Sequence, residues 1–185
     1  MTHQKWKVLS EQDVSPSKWF PIVKELVELP NGKTSEYYKS KLANVSMVVP
    51  VTKNREVLFV KQYKHGIAEV TLEFPAGRIE NNKTAKETAV LELSEETGVI
   101  VSEAELIELI ELWTEPSKST VRVYGYLATN VEVAQQQKLE ETESIEIVKV
   151  PVSELDQLIK SGEVHASDTV ALLLLAKMQF PQFFI

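Results

Sequence analysis

Glu73-Phe74-Pro75-Ala76-Gly77-Arg78-Ile79-Glu80-Asn81-Asn82-Lys83-Thr84-Ala85-Lys86-Glu87-Thr88-Ala89-Val90-Leu91-Glu92-Leu93-Ser94-Glu95-Glu96-Thr97-Gly98-Val99-Ile100 is the stretch that decides the fold. Pro75, Ala76 and Gly77 read as a turn. No glycine or proline interrupts Thr84 to Thr97, so the spacing predicts one helix of several turns. Gly98 suits the left-handed residue that ends such a helix. Glu92, Glu95 and Glu96 stand at i, i+3 and i+4 and share one helix face. Three like charges there weaken an isolated helix. Solvated surface is the plain account of such a run, and a divalent cation is the sharper one.

The rest of the chain bounds what this helix can belong to. At 185 residues, 43% hydrophobic and 25% charged, it is one domain of ordinary size, or one with a small appendage. The N-terminal residues, Met1 to Trp6, are polar and carry no apolar run, so no secretory signal is expected. Ala171 to Ala176 is the longest apolar run, too short to cross a bilayer. With no cysteine, disulfides, thiolate metal sites and thiol nucleophiles are excluded, and a reducing cytoplasm is compatible. A net charge of −7 with no basic stripe argues against nucleic acid as partner.

Outward from the helix the pattern is mostly strand. Residues 5–9, Ile22 to Leu29 and Thr34 to Lys39 read as strands, the last two joined at Asn31-Gly32, a strong hairpin signal. Residues 1–44 thus form a small antiparallel sheet. It is too small to stand alone, so it packs on the main domain, residues 45–185, or on another subunit. Val45 to Val51 is a continuous apolar run and reads as a buried strand, with Arg55 to Tyr63 as its hairpin partner. Leu106 to Trp113, Val121 to Leu127 and Ile145 to Val150 are further strands. Val152 to Ser161 and Asp168 to Met178 read as helices capped by Ser or Asp. The order predicts an α/β fold, a mixed sheet with helices on both faces. His65 and His165 have no companion at metal-ligand spacing.

At Gly77 to Val99 the residues resemble the Nudix box, G-x5-E-x7-R-E-U-x-E-E-x-G-U with U aliphatic. Gly77, Glu92, Leu93, Glu95, Glu96, Gly98 and Val99 fall on the pattern, while Lys83 and Leu91 replace its first Glu and its Arg. Glu73-Phe74-Pro75-Ala76-Gly77-Arg78 and Val60-Lys61-Gln62-Tyr63-Lys64 resemble the ADP-ribose and nucleoside-diphosphate-sugar branch. The resemblance covers nearly the whole chain. It implies a Nudix-type α/β/α sandwich and metal-dependent hydrolysis of a nucleoside diphosphate sugar, with Mg²⁺ or Mn²⁺ and a homodimer. By resemblance, Glu92, Glu95, Glu96, the Ala76 carbonyl and Glu143 bind metal, and Glu96 and Glu141 act in catalysis. Glu141 and Glu143 have plain loop charge as their other reading. Lys64 and Arg78 contact the diphosphate or are solvated cations. Trp19 and Phe20 stack on the base in a neighbouring subunit's site or pack in the interface; Trp113 lines the sugar side or the core. Val121 stands where the branch often has an acid. Lys83 and Leu91 also carry a second reading, a silent Nudix domain that binds a nucleotide as a sensor or interaction module.

Overall fold

In the computed structural model of the protein, residues 4–80 and 82–185 are described. Met1 to His3, which open the polar N-terminal stretch, and Asn81, inside the stretch quoted above, lie outside the described residues. The chain divides into two units: residues 1–44 with 113–122, and residues 45–112 with 123–185.

The first unit is a three-stranded antiparallel sheet of β1 (Lys7–Asp13), β2 (Ile22–Glu28) and β3 (Thr34–Ser40), in that order. Gly32, at φ 79°, occupies the left-handed position of the β2–β3 turn. In β2 the buried residues alternate, Val23, Glu25 and Val27, and Lys39 Nζ of β3 neutralises Glu25 at 2.5 Å. β1 is longer than the expected residues 5–9. It is exposed at every position and bulged between Val8 and Ser10, so its residues carry no alternation to read. Residues 113–122 join this unit through Ser40, whose amide donates to Lys118 O at 2.8 Å.

The second unit holds a seven-stranded mixed sheet ordered β10 (Ile145–Pro151), β5 (Glu56–Lys64), β4 (Val45–Thr52), β9 (Arg122–Val131), β8 (Leu106–Trp113). β6 (Glu69–Glu73) adds to β5 and β7 (Ala76–Arg78) to β4. β4 runs parallel to β9 and antiparallel to β5 and β7. β4 reads as an apolar run, broken only by Ser46 between Val45 and Val51, because both its faces are covered. Met47, Val49 and Val51 enter one core cluster with Leu172, Leu173 and Ala176 of α3 (Ser167–Gln179) and Leu155 of α2 (Leu155–Ser161). Val48 points the other way, into a cluster with Ala89 and Leu93 of α1 (Ala85–Thr97). The side chains of β5 split likewise, with Val57 and Phe59 on one face and Leu58 on the other. One sheet therefore carries α1 on one face and α2 and α3 on the other. Gly125 of β9 admits α3, since a β-carbon there would fall 2.2 Å from Leu172.

Three expectations are corrected. Ala76 and Gly77 are not turn residues but the short strand β7, because β5 registers with β4 only at Val51–Val57 and leaves the other end of β4 free to pair with Ala76–Arg78. The bend falls at Pro75, whose carbonyl accepts from Val48 N at 3.0 Å. α2 and α3 have no side-chain caps: a 3-10 turn at Val152–Glu154 leads into α2, and the Asp168 carboxylate accepts from the neighbouring Thr169 N instead.

Phe59 and Phe74 stack with centroids 4.8 Å apart, and both are fully buried. This pair ties the centre of β5 to the residue just before the Pro75 bend. Phe59→Ala should cost about 3–5 kcal/mol, measured by urea denaturation.

Candidate active site

The site is built by α1 and β7. Thr84 starts the helix with a reciprocal box: its Oγ1 accepts from Glu87 N at 3.1 Å, and the Glu87 carboxylate accepts from Thr84 N at 2.6 Å. Gly98 ends it at φ 70°, where a β-carbon would lie 2.0 Å from the Gln135 carbonyl oxygen. Between these caps the helix packs on β4 and β7. Buried Ser46 of β4 donates to Ala85 O at 2.7 Å, fixing the first turn against the sheet.

This docking presses two carboxylates into the β7 backbone. Glu96 is 3% exposed, and its Oε2 accepts from Ala76 N at 3.0 Å. Glu92 Oε1 lies where a β-carbon on Gly77 would be, only 1.8 Å from that point. Glycine is required at position 77 for this close approach rather than for a turn. Burial pushes Glu92 up to about 7, and the charges of Glu95, Glu143 and Glu140 add to it against a weaker pull from Lys83. Burial likewise pushes Glu96 up to about 8. The Ala76 N–H opposes this, Glu92 and Glu143 reinforce it, and Lys64 opposes it weakly.

The acidic loop reaches the same place from β10, whose first residue, Ile145, pairs with Gln62 near the end of β5. Glu140 and Glu143 face each other across a turn in which Glu143 N donates to Glu140 O and Glu140 N to Glu143 Oε2, both at 3.0 Å. Glu140 and Glu143 are the loop acids whose fields act on Glu92. Glu141 is exposed and is not among the leading charges on Glu92 or Glu96. Glu140 is the residue the sequence reading missed; its signal was its place in the same acidic cluster. Among the described residues, no three acidic or histidine side chains already converge as a chelate.

The other candidates scatter. Lys64 Nζ is bound by Glu73 Oε2 at 3.1 Å, and Thr71 Oγ1 donates to the other Glu73 oxygen at 2.8 Å, so Lys64 is half of an ion pair at the edge of the acid cluster. Arg78 ends β7 exposed. Lys83 bonds Glu80 at 3.0 Å, and that bond, followed by the fields of Glu80, Glu95 and Glu92, raises its pKa against the effect of burial. Leu91 is half-buried. In the N-terminal unit Trp19 is 68% and Phe20 48% exposed. Phe20 lines a cavity of about 430 Å³ with Tyr38, Lys39, Lys118, Ser119 and Val121, whereas Trp19 carries the Lys18 ammonium 4.7 Å above its ring. Trp113 is half-exposed, with the Arg122 guanidinium 4.4 Å over its ring, and is not core. Among the described residues no helix is long and apolar enough to cross a membrane.

Comparison with known proteins agrees with this fold. Residues 41–173 match the NUDIX domain and residues 6–39 the nucleoside diphosphate sugar hydrolase N-terminal domain. The chain belongs to the Nudix family. It is 29% identical to the ADP-ribose pyrophosphatase of Bacillus subtilis (strain 168), over 88% of each chain. It is 32% identical to the ADP-sugar pyrophosphatase of Mus musculus, over 80% of this chain and 74% of that one. A crystal structure of an ADP compounds hydrolase shares the fold at a TM-score of 0.86, covering 98% of this chain and 97% of that one at 22% identity.

A carboxyl whose native pKa lies above its unfolded value favours the fold while protonated. The contribution of Glu92 and Glu96 is therefore whole below about 4.5 and lost as pH rises through about 7 to 8. In chelator, the melting temperature should fall from about pH 5 to about pH 8, and Glu96→Gln should flatten that fall. Mg²⁺ added at the upper pH should restore part of it. Thermal melts followed by circular dichroism measure this, and a melting temperature rising across the same window would contradict it.

Proposed function

We propose that this protein hydrolyses the diphosphate bond of ADP-ribose or a related nucleoside diphosphate sugar, with Mg²⁺ or Mn²⁺, to give a nucleoside monophosphate and a sugar phosphate. The observation that carries the reading is the pair of carboxylates, half-buried Glu92 and buried Glu96, raised together beside the β7 backbone and in the field of Glu143. Buried like charges without a matching cation are costly, and a hard divalent ion with oxygen ligands is the group that fits them. Glu92, Glu95, Glu96 and Glu143, with the Ala76 carbonyl, would hold it. When bound, the ion neutralises phosphoryl charge and lowers the pKa of a water.

The chain's own residues then supply binding and proton transfer. Water adds to one phosphorus as the bond from that phosphorus to the bridging oxygen breaks, and a carboxylate takes the water's proton. Glu141 serves as that base by swinging from its exposed position on the 140–143 turn, and Glu96 orders the site. Lys64 and Arg78 contact the diphosphate, Lys64 as a point charge already oriented by Glu73. Trp19 and Phe20 offer exposed ring faces for the base at a second subunit's site, and residues 1–44 form the dimerisation element. The cysteine-free composition suits the cytoplasm.

Lys83 favours a second reading, a Nudix domain that binds its nucleotide without turnover, because its ammonium already offsets part of the charge of Glu95 and Glu92.

A panel of nucleoside diphosphate sugars with added Mg²⁺ or Mn²⁺ should release AMP or its counterpart. Glu96→Gln should slow that release by roughly 100-fold or more while circular dichroism is unchanged. Tight binding without turnover by the wild type supports the second reading. Light scattering at micromolar concentration should give the mass of a dimer, and a monomer would count against the cross-subunit aromatic site.

A further inference from the structure

The run Gln135-Gln136-Gln137 carries no evident chemistry in the sequence, yet two of its side chains hold α1. Gln135 Nε2 donates to Ser94 Oγ at 2.8 Å. Gln137 Nε2 donates to two backbone carbonyls, Glu96 O at 2.6 Å and Ile145 O at 3.3 Å. The backbone between and beside them joins in: Ala134 N and Gln135 N donate to Gly98 O at 2.9 and 3.2 Å, and Lys138 N to Glu95 O at 2.8 Å. Gln135 and Gln137 are half-buried, while Gln136 between them is exposed, as in an extended segment with one face on the helix.

The two acceptors of Gln137 are informative. Glu96 O belongs to the last turn of α1, where helix carbonyls lack intrahelical donors. Ile145 O belongs to the first residue of β10, which pairs with Gln62 of β5. The chain between Gln137 and Ile145 is the acidic loop with Glu140, Glu141 and Glu143. One amide nitrogen with two hydrogens thus joins the helix to the far end of that loop, and the Lys138 amide fixes its near end. A carboxylate of the same shape would present oxygen to both carbonyls and donate nothing when ionised.

We propose that Gln137 is a positioning residue, whose amide pins the loop of residues 138–144 to the end of the acidic helix and so sets where Glu143 stands relative to Glu92 and Glu96. The inference rests on the reading that these carboxylates act together. Left to electrostatics alone, the loop acids repel the helix acids. Donors aimed at backbone carbonyls hold the loop in place without adding a cation that would compete for the carboxylates. The bridge also acts on the backbone of Glu96, so helix end and loop move as one piece.

The test uses the full chain with Gln137→Met, which keeps length and removes both donors, Gln137→Glu, which keeps shape, and Gln136→Ala as the control. Amide hydrogen exchange is measured without substrate, and kcat, KM and Mg²⁺ dependence with it. In Gln137→Met the Lys138 and Glu143 amides should exchange about tenfold faster or more while Leu93 keeps its protection. The same variant should lose about tenfold or more in kcat, with KM changed by less than about threefold and a higher Mg²⁺ requirement. Gln136→Ala should match the wild type in both. Unchanged exchange in Gln137→Met overturns the clamp whatever the activity. Faster exchange with unchanged kcat and Mg²⁺ dependence overturns the positioning role. Should the wild type turn over no substrate, the functional reading fails separately, and Mg²⁺ binding by calorimetry decides: weaker binding in Gln137→Met supports the role, equal binding overturns it. If Gln137→Glu does not fold, Gln137→Met carries the test alone.

Discussion

The burial of Glu96 against the Ala76 amide is the contact on which the site depends. A carboxyl 3% exposed with one backbone donor is poorly solvated in its charged form, and burial accordingly raises its pKa to about 8. That deficit must be offset by structure elsewhere. Leu93 and Ala89 bury their side chains in the core beneath the same helix, and Ser46 bonds its first turn to the sheet. The helix is held by its apolar side so that its acidic side can stay under-solvated. Gly77 is part of the same arrangement, because any side chain there would displace Glu92 from the β7 backbone.

What the sequence made legible follows from the range of the forces involved. α1 could be read within a residue of its limits because its signals are local: Thr84 and Gly98 at the ends, no breaker between, and acids at helical spacing. β4 was legible as a buried run because α1 covers one of its faces and α2 and α3 the other. β7 was hidden. It is three residues long and follows a proline, and it is a strand only because β5 leaves the edge of β4 free. No local pattern encodes a vacancy made by another strand. The second half of β1 was hidden for another reason, exposure on both faces, which removes the alternation that marks a strand.

The acid face of the site was legible through side-chain type, and its supports were not. Glu92, Glu95 and Glu96 announce themselves by charge and spacing. The glutamines that join α1 to the acidic loop do so through single amides, Gln135 on the Ser94 hydroxyl and Gln137 on carbonyls 41 and 8 residues away, and such pairs leave no period in a sequence. Lys64 was legible as a cation but not as a paired one. Its partner Glu73 sits across the β5–β6 ladder, where Gln62 opposes Thr71, and the register that brings them together belongs to the sheet.

Lys83 and Leu91 take on a physical meaning within this arrangement. The acid and the base that the box pattern places there are replaced together, so the exchange strands no buried charge. Leu91 contributes apolar surface on a half-buried helix position. Lys83 reverses the sign of charge at the entrance to the helix and places an ammonium in the field of Glu95 and Glu92, anchored by Glu80. The acid face therefore begins with one unit of positive charge already present at its N-terminal end and another, Lys64, near Glu96. Both cations are held by exchangeable carboxylate partners outside the cluster, Glu80 and Glu73. On the proposed reading, a divalent ion among Glu92, Glu95, Glu96 and Glu143 would meet carboxylates partly screened by the two lysines, whose own ion pairs are with Glu73 and Glu80.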